Sequence, residues 1–424
     1  MRATIKGPQS VRGELKAPGS KAYTHRALIA SLLTPGETMI QGALDCDDTR
    51  RTLEGIRLLG AIVSLEKGLI ISRGPENLTP LEMRINCGES GATLRFLTAV
   101  ASASAKQTVL TANGGLANRP MDPLLKALNE LGTASTVTWN GHELALQVRG
   151  PIKGGETSLP GDISSQFLSG LLLAAPLSRS DVAINLNGEM ESRPYVDMTI
   201  AVLQKHGIKV ESTERQVRVP APQQYKPAFH QVDGDFSSAA FLMATAATAG
   251  ESITILGLSR NNLEPDSSIM DVGPQIGLKI RKRGEAIVVE KSELRGFQFD
   301  ATNNPDLVPA LEVLACVADG SSEISGVRRL RFKETNRLMT LPSELTKMGA
   351  RIHVGDDKVR IEHADRLSGA VLESHLDHRV AMACSAAAVG AHGESVLENA
   401  QVVSKSYPDF FNDLTNLGVE IRVE

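Results

Sequence analysis

Residues 131–150 read LGTASTVTWNGHELALQVRG, and this stretch shows the pattern from which the fold is predicted. A helix-like segment closes at Gly132, an alternating strand follows at once, and a turn leads into a second alternating strand. Glycine is the usual residue just after a helix because it adopts the left-handed backbone conformation without a steric penalty. The stretch therefore predicts the end of a helix followed directly by two strands joined by a turn.

The same pattern occurs six times along the chain, with successive glycines 72, 75, 70, 72 and 69 residues apart. These glycines are Gly60, Gly132, Gly207, Gly277, Gly349 and Gly418. A polar loop that opens an Ala- and Leu-rich helix recurs with the same period. The loops read PGSKAYTHRA, CGESGATLRF, PGDISSQFLS, DGDFSSAAFL, NNPDLVPALE and LDHRVAMACS. Each repeat is therefore predicted to be a βαβαββ module of about 70 residues.

A single module of this size cannot cover its own apolar faces, so the modules must pack together. A chain of 424 residues also exceeds what one hydrophobic core usually supports. We therefore predict an α/β (α+β) fold of two similar globular halves, with three βαβαββ modules in each. The break with the weakest helical pattern, VPAPQQYKPAFHQV at residues 219–232, marks the expected crossover between the halves.

The composition excludes several classes of protein. The chain has 45 Lys and Arg against 49 Asp and Glu, a net charge of -4 and 4% aromatic residues, so no nucleic-acid partner is expected. Its four cysteines are far apart and form no C-x-x-C pair, which predicts reduced thiols and no zinc site. The most apolar stretch, residues 167–177, is too short to span a bilayer. We expect a soluble cytoplasmic protein with no membrane partner.

The polar loops carry the candidate functional residues. Lys21, His25 and Arg26 lie in the first turns of a predicted helix, where the helix dipole already favours an anion. If the two halves face one another, the positive helix ends converge on one cleft, which would then bind anionic ligands. The loops and neighbouring turns contain Lys21, Arg26, Arg95, Arg119, Ser164, Ser165, Gln166, Arg193, Tyr195, Asp306, Lys333, Glu334, Arg337, Asp377, His378, Arg379 and Lys405.

Each of these clusters also has an ordinary structural explanation. Two serines before an apolar helix are commonly an N-cap, and basic residues at a helix start are usually solvated. The segment KETNR at residues 333–337 could be a surface ion-pair face, and His378 could be a structural histidine. Recurrence at equivalent corners of six modules favours function, because independent surface charges have no reason to share one location.

Ten motifs together resemble one enzyme family. They are GSKAYTHRA, GESGATLRF, RPM, SSQFL, SRPYVD, GDFSSAAFL, NNPD, FKETNRL, DHRVAM and SKSYPDF. In order and spacing they are similar to the 5-enolpyruvylshikimate-3-phosphate synthase family of enolpyruvyl transferases, over about residues 5 to 420. The resemblance implies that the chain starts in one half, builds the other and crosses back. The predicted halves are residues 16–229, and residues 1–15 with 230–424.

The resemblance implies a transferase of the shikimate pathway, which serves chorismate and aromatic amino acid biosynthesis. Its substrates would be shikimate 3-phosphate and phosphoenolpyruvate. The 5-hydroxyl of the first would attack C2 of the second, giving a tetrahedral intermediate that then loses phosphate. The active site is expected in the cleft between the halves of a monomer. No metal or organic cofactor is expected, and glyphosate is the expected inhibitor.

The resemblance also assigns roles to individual residues. The implied catalytic residues are Lys21, Asp306, Glu334 and His378. The implied shikimate 3-phosphate residues are Lys21, Ala22, Arg26, Ser164, Ser165, Gln166, Ser192, Tyr195, Asp306 and Lys333. The implied phosphoenolpyruvate residues are Lys21, Gly91, Arg119, Gln166, Arg337, Arg379 and Lys405.

The sequence departs from the family pattern in three places, at four positions. Ala22 replaces the usual serine after the lysine, which removes a hydroxyl expected to bind the shikimate phosphate. Glu89 and Ala92 replace an amide and a hydroxyl in the glycine loop, and Arg329 lies near the place of a usual asparagine. A charge-assisted hydrogen bond of the kind lost at Ala22 contributes about 1.5 to 3 kcal/mol, so substrate binding or turnover could be reduced.

Two alternatives stay open at this point. One is a UDP-N-acetylglucosamine enolpyruvyl transferase, which resembles this chain in architecture but generally carries a reactive cysteine near the position of ANGGLANRP, residues 112–120, where this sequence has none. The other is a non-catalytic anion-binding relative. The joint presence of Lys21, Asp306, Glu334 and His378 favours an enzyme over this second alternative.

Overall fold

The computed structural model describes residues 1–141, 143–259 and 263–424. The chain divides into two compact units, which we name by their place in the sequence. The central unit is residues 19–232, and the terminal unit is residues 1–18 together with 233–424. The boundaries predicted from the sequence lie three residues before each of these divisions.

The elements follow the predicted order of strands and helices. The α-helices of the described residues are α1 Lys21–Leu32, α2 Asp47–Leu58, α3 Gly91–Ala101, α4 Asp122–Glu130, α5 Ser165–Ala174, α6 Arg193–Lys205, α7 Phe236–Ala249, α8 Ile269–Gln275, α9 Val308–Val317, α10 Arg337–Lys347, α11 His378–Gly390 and α12 Phe410–Asn416. Short 3₁₀ helices span Gly114–Asn118, Ala175–Leu177, Pro265–Ser268, Arg328–Phe332 and Ala400–Lys405.

The strands complete the modules. They are β1 Ala3–Gly7, β2 Arg12–Lys16, β3 Glu37–Gln41, β4 Ile62–Glu66, β5 Leu69–Arg73, β6 Arg84–Asn86, β7 Thr108–Ala112, β8 Ala134–Asn140, β9 Glu143–Arg149, β10 Gly155–Pro160, β11 Val182–Asn187, β12 Glu211–Ser212, β13 Gln216–Val219, β14 Phe229–Gln231, β15 Ser252–Leu256, β16 Lys279–Arg283, β17 Ala286–Glu290, β18 Gln298–Asp300, β19 Ser321–Ser325, β20 Arg351–Val354, β21 Lys358–Glu362, β22 Val371–Glu373, β23 Gly393–Glu398 and β24 Ile421–Val423.

These strands form six four-stranded sheets, three in each unit. The central unit has the orders β14-β3-β5-β4, β6-β7-β9-β8 and β10-β11-β13-β12. The terminal unit has β16-β17-β15-β2, β18-β19-β21-β20 and β22-β23-β1-β24. Every sheet contains one parallel pair, as a βαβ crossover requires, and two antiparallel pairings. The prediction of three βαβαββ modules in each of two halves is confirmed.

Three sheets are completed by strands distant in sequence. Strand β2 runs parallel to β15, pairing Arg12 with Ser252, and β14 runs parallel to β3, pairing Phe229 with Met39. Strand β1 pairs antiparallel with both β23 and β24, and so supplies the last strand of the sixth module. The sixth repeat ends after one strand in the sequence, and the amino-terminal residues provide its missing partner.

The repeated glycines have the predicted conformation. The φ angles of the six glycines lie between 77° and 106°, in the left-handed region. At Gly277 a Cβ atom would also lie 2.4 Å from the carbonyl oxygen of Glu293, so a side chain would clash as well as strain the backbone. The positions therefore require glycine for the close turn between each helix and its hairpin.

Each module contains one core helix and one outer helix. Helices α1, α3, α5, α7, α9 and α11 are buried on nearly all sides, which their Ala- and Leu-rich sequences permit. They form two separate hydrophobic cores, one in each unit. Most of these core helices begin at a polar cap, and within each unit the candidate residues lie at or near these helix starts.

Two further expectations from the sequence concern membrane-spanning helices and the state of the cysteines. Within the described ranges, the chain has no helix with both the length and the apolar character needed to cross a membrane. Cys46, Cys87, Cys316 and Cys384 are all free and buried.

Candidate active site

In the central unit, Lys21 begins α1 and pairs with an aspartate. Its Nζ donates to Oδ2 of Asp48 at 3.0 Å, and both side chains are largely buried. Asp48 lies in the first turn of α2, where the helix dipole stabilises a carboxylate. The ammonium is therefore held at the start of α1, beside Ala22, which is partly exposed.

Arg26 lies one turn further along α1 and is 3% exposed. Its Nε donates to Oγ1 of Thr199 at 2.7 Å, and its Nη2 donates to the carbonyl oxygen of Tyr195 at 3.0 Å. The guanidinium also lies 5.3 Å from the Phe96 ring centre. These contacts join α1 to the start of α6, so the arginine supports the helix turn that carries Ser192 and Tyr195.

The starts of α5 and α6 supply the predicted shikimate-side residues. Ser164 caps α5 by accepting from the backbone N–H of Gln166 at 3.3 Å, and Ser165 is the first residue of the helix. Ser192 precedes α6 with φ of 55°, a left-handed conformation that is rare for a side-chain-bearing residue. Such strained residues occur mainly at binding sites and turns.

Gly91 lies against two guanidinium groups. A Cβ atom there would be 3.2 Å from Nη1 of Arg119 and 3.4 Å from Nη1 of Arg95. Arg95 in turn donates to Oε1 of Gln166 at 2.5 Å. The missing side chain of Gly91 thus leaves room for Arg119 beside the first turn of α3.

Glu89, a departure from the family pattern, points toward the loop that carries Arg119. Its Oε1 accepts from the backbone N–H of Gly115 at 3.1 Å. The neighbouring Gly114 has φ of 57°, and a Cβ atom there would lie 1.8 Å from the same carboxylate oxygen. Glu89 therefore joins the glycine loop to the 3₁₀ helix Gly114–Asn118.

In the terminal unit, Asp306 accepts from two predicted cations and lies close to a third. Its Oδ1 accepts from Nζ of Lys333 and from Nη1 of Arg337, each at 3.0 Å. Nε of Arg379 lies 3.5 Å from the same oxygen, and Nη1 of Arg379 donates to the Asp306 carbonyl at 3.2 Å. One carboxylate oxygen thus faces three positive groups that come from different elements.

Arg337 is the most enclosed of these cations, with its side chain 1% exposed. Its Nη2 donates to Oε2 of Glu334 at 2.5 Å, and its Nε donates to Oδ2 of Asp377 at 2.7 Å. Asp377 also caps α11 by accepting from the N–H of Arg379. The start of α11 and the start of α10 are therefore fixed to one another through Arg337 and Asp377.

The charges of this cluster shift two pKa values. Burial by itself would raise the pKa of Asp306, but Arg379, Lys333 and Arg337 outweigh burial and hold the pKa well below its usual range. Burial lowers the pKa of Lys333 to about 8, although Asp306 opposes that change. Asp306 is therefore an ionised carboxylate near neutral pH, and Lys333 is a cation that can release its proton slightly above it.

Two further predicted residues lie on neighbouring elements. His378 is the first residue of α11 and 1% exposed, with its Nδ1 4.0 Å from Oδ1 of Asp377. Lys405 ends the 3₁₀ helix Ala400–Lys405, which packs against α11.

Sequence reasoning did not assign roles to several residues that organise the clusters. Asp48 holds Lys21, Asp377 holds Arg337, and Arg95 holds Gln166. Asp266 is another: Ser237 donates to its Oδ2, burial and nearby Asp306 raise its pKa to about 7, and Arg379 opposes that rise. Among these residues, Asp377 is the one that the sequence could have indicated, because an aspartate directly before an apolar helix predicts an N-cap.

A metal site is not indicated by the acidic residues or by the histidines and cysteines. Within the described ranges, no group of three or more of these side chains is placed to hold a metal ion. The clusters instead combine buried cations with carboxylates, an arrangement suited to binding anions and moving protons.

The whole chain matches one protein family. The model of EPSP synthase (3-phosphoshikimate 1-carboxyvinyltransferase) matches residues 5–414. The chain belongs to the EPSP synthase family. Relatives named 3-phosphoshikimate 1-carboxyvinyltransferase are 37% identical in Halobacterium salinarum, with 99% of each chain covered, and 38% identical in Methanocorpusculum labreanum, with 98% of each covered.

The fold matches as well. A 2.37 Å structure of EPSP synthase from Acinetobacter baumannii has a TM-score of 0.83 at 25% identity, with 100% of each chain covered. The resemblance inferred from ten short motifs is therefore confirmed over the full length. Within the EPSP synthase family, Ala22, Glu89, Ala92 and Arg329 are departures from the usual pattern, and Arg329 is 8% exposed in the 3₁₀ helix Arg328–Phe332, which precedes α10.

Proposed function

We propose that this EPSP synthase family member transfers the enolpyruvyl group of phosphoenolpyruvate to the 5-hydroxyl of shikimate 3-phosphate and releases phosphate. The two clusters supply different parts of that reaction. The residues of the terminal unit bind phosphoenolpyruvate and move protons, and those of the central unit bind mainly shikimate 3-phosphate. The reaction proceeds by addition and elimination through a tetrahedral intermediate.

The phosphate and carboxylate of phosphoenolpyruvate bind to Arg337, Arg379 and Lys405, with Arg119 and Lys21 from the central unit. Arginine suits these groups because its planar donors engage two oxygens of a carboxylate or phosphate at once. Three buried basic groups within 3.5 Å of one Asp306 oxygen support this assignment, since they gather donors for an anion at the starts of α10 and α11. Gly91 keeps space beside Arg119 for the ligand.

Shikimate 3-phosphate is bound by Lys21, Ser164, Ser165, Gln166, Ser192, Tyr195 and Lys333. The start of α5, which Ser164 caps, and the start of α6 support this role, because backbone N–H groups at helix starts bind phosphate. Arg26 supports this site by donating to the carbonyl oxygen of Tyr195, which holds the first turn of α6 in place. Ala22 contributes its backbone but no hydroxyl, which predicts weaker binding than a serine would give.

Proton transfer belongs to Asp306, Glu334, Lys21 and His378. In the free protein, neighbouring cations hold the pKa of Asp306 well below its usual range, which makes it a weak base. Substrate anions bound to the same cations would neutralise their charge and raise that pKa. Asp306 would then become a better base when both substrates are in place, and Glu334 beside Arg337 would exchange the C3 proton.

The observation that carries the proposal is the contact of Asp306 with Lys333 and Arg337 in a chain that matches the family from residue 5 to 414. The test is release of inorganic phosphate from phosphoenolpyruvate, measured with and without shikimate 3-phosphate. Release that requires shikimate 3-phosphate supports the proposal. Release that requires UDP-N-acetylglucosamine instead, or no release with either acceptor, contradicts it.

We also propose a cytoplasmic location. Four buried free cysteines support it, because thiols stay reduced in the cytoplasm. Fractionation of cells that produce the protein tests this proposal, and recovery in an oxidising compartment or a membrane fraction would contradict it.

A further inference from the structure

A chain of hydrogen bonds runs through the interior of the central unit and starts at Tyr23, which lies between the candidate residues Ala22 and Arg26. The hydroxyl of Tyr23 lies 3.0 Å from Nδ1 of His230, and Nε2 of His230 lies 2.9 Å from Nε2 of His206. Nδ1 of His206 lies 2.8 Å from the carbonyl oxygen of Lys226 and 3.0 Å from Oγ1 of Thr34. Both histidines and Thr34 are 0% exposed, so water does not satisfy these groups.

Hydrogen-bonding chemistry fixes the direction of every bond in this chain. The Lys226 carbonyl can only accept, so Nδ1 of His206 carries a proton. Nε2 of a neutral His206 must then accept, which places the proton of His230 on its Nε2. Nδ1 of His230 is left as an acceptor and receives the hydroxyl proton of Tyr23. Thr34 donates its own proton to the carbonyl oxygen of Ala30 at 2.8 Å.

The chain starts and ends on the same helix. Tyr23 lies in the first turn of α1, Ala30 lies in its last turn, and Thr34 follows its end. His230 belongs to β14, the last strand before the chain enters the terminal unit, and His206 caps the carboxyl end of α6. Helix α1 is thereby tied along its length to the crossover strand and to α6.

Arg26 joins the same two helices at the other end of α6. It donates to Tyr195 in the first turn of α6 and to Thr199 in the next, whereas His206 contacts Thr34 where α6 ends. Two separate sets of bonds therefore fix the position of α1 relative to α6. Lys21 precedes Tyr23 by two residues and Arg26 follows it by three, so movement of Tyr23 would move both.

Only the neutral histidine pair fits this arrangement. Burial lowers the pKa of His206 to about 4, and burial with the His206 and Lys205 charges lowers that of His230 to about 3. The titratable or charged groups that face the pair are Tyr23 from α1, Lys205 from α6 and the Tyr225 ring, and Lys205 lies 5.8 Å above the Tyr23 ring centre. If the pair bound one more proton, both Nε2 atoms would carry hydrogen, and the hydrogen bond between His206 and His230 would be lost.

We propose that His230 and His206 are positioning residues of the transfer reaction, which act through Tyr23 to fix the first turn of α1 and with it Lys21 and Arg26. The inference rests on the roles proposed above for those two residues. It assigns a function to residues outside the motifs that resemble the family. It also gives the crossover strand β14, which contains His230, a role in substrate binding, although this strand is about 200 residues from Lys21 in the sequence.

The test compares two single-atom deletions in the same unit. Tyr23→Phe removes the hydroxyl that binds His230, and Tyr225→Phe removes a buried hydroxyl that donates to the Leu173 carbonyl at 2.7 Å. Both variants lose one buried hydrogen bond, so both should lose similar stability in urea. Only Tyr23→Phe should lower kcat/KM for shikimate 3-phosphate, by about tenfold, because misplacement of a binding group reduces transition-state stabilisation.

Two substitutions at His230 test whether a side chain that keeps the hydrogen bonds also keeps the activity. Glutamine carries an acceptor oxygen and a donor NH₂ group on its amide and can bridge Tyr23 and His206, whereas leucine has a similar volume and neither group. His230→Gln should keep kcat/KM within about threefold of the parent protein, and His230→Leu should lose about tenfold or more. Equal kinetics of Tyr23→Phe and Tyr225→Phe, or of His230→Gln and His230→Leu, would overturn the inference. Absence of shikimate-dependent phosphate release in the parent protein would instead contradict the proposed function.

Discussion

Asp377 binds the guanidinium of Arg337 through both carboxylate oxygens. Oδ2 accepts from Nε at 2.7 Å and Oδ1 accepts from Nη2 at 3.1 Å. The two side chains are 0% and 1% exposed, so the pair is formed out of water. Because Asp377 also caps α11 at Arg379, one carboxylate orients two of the arginines proposed to bind phosphoenolpyruvate.

Asp377→Asn should destabilise the protein. Removing one partner of a buried ion pair costs about 3–5 kcal/mol, and the lower end is expected here since Arg337 keeps Asp306 and Glu334. Urea unfolding measures the change. Asp356→Asn is the control, because Asp356 is fully exposed at 3.7 Å from Arg331, and it should leave the midpoint unchanged. Equal midpoints for the two variants would contradict the expectation.

Glu334→Gln should separate chemistry from binding. The amide keeps the size and a hydrogen bond but cannot exchange a proton, so turnover should fall by roughly 10²-fold or more. Binding of shikimate 3-phosphate, measured by calorimetry, should stay near that of the parent protein. Glu420→Gln, at an exposed position, is the control. Near-normal turnover of Glu334→Gln would remove this residue from proton transfer.

Lys333 should make substrate binding sensitive to alkaline pH. Burial lowers the pKa of this residue to about 8, so its charge is present below that pH and is lost as the pH rises through it. Affinity for shikimate 3-phosphate should then fall by up to about tenfold per pH unit above 8. Lys333→Arg should abolish this dependence, because a guanidinium does not titrate in that range.

The control for that experiment is Lys347→Arg, at the end of helix α10 and paired with Glu344, whereas Lys333 precedes that helix. This variant should retain the pH dependence of the parent protein. An affinity that stays constant from pH 7 to pH 9.5 in the parent protein would show that the charge of Lys333 does not contribute to binding.

The buried histidine pair should reduce stability in acid. His206 and His230 have pKa values of about 4 and about 3 in the folded state, well below the ordinary value of 6.5. Between those values the unfolded chain binds protons that the folded chain does not, so the free energy of unfolding falls as the pH drops below about 6.5. Each histidine contributes a slope of up to about 1.4 kcal/mol per pH unit.

Urea unfolding between pH 7 and pH 4.5 measures this slope. The double variant His206→Gln with His230→Gln should show a flatter dependence, because glutamine does not titrate. His353→Gln, at a largely exposed histidine, is the control and should leave the slope unchanged. The same slope in the parent protein and the double variant would show that other groups cause the loss.

Treatment with EDTA should leave activity unchanged. The proposed donor site neutralises phosphoenolpyruvate with arginine and lysine, and no metal-binding group of acidic, histidine or cysteine side chains occurs in the described ranges. Phosphate release is measured before and after chelation, with added Mg²⁺, Mn²⁺ and Zn²⁺ in turn. Activity that is lost to EDTA and restored by one of these ions would contradict the expectation.

The sequence alone predicted the module and its count. Glycines at about 70-residue spacing, each before an alternating pair of strands, required a left-handed turn that few other residues adopt, and all six have that conformation. The family resemblance was equally local, because it depends on short motifs at helix starts, where caps and charged residues are readable in the sequence. Lys21, Gly91, Asp306 and Arg337 were named as candidates in this way.

Tertiary structure decided which strands complete each sheet and which groups pair. Strand β1 joins β23 nearly 400 residues away, and β14 joins β3, pairings that depend on the packed modules and not on any local pattern. The same holds for Asp48 beside Lys21 and for the chain from Tyr23 to His206 through His230. Their side chains meet because whole helices pack together, and a sequence period carries no information about which buried polar groups come within hydrogen-bonding distance.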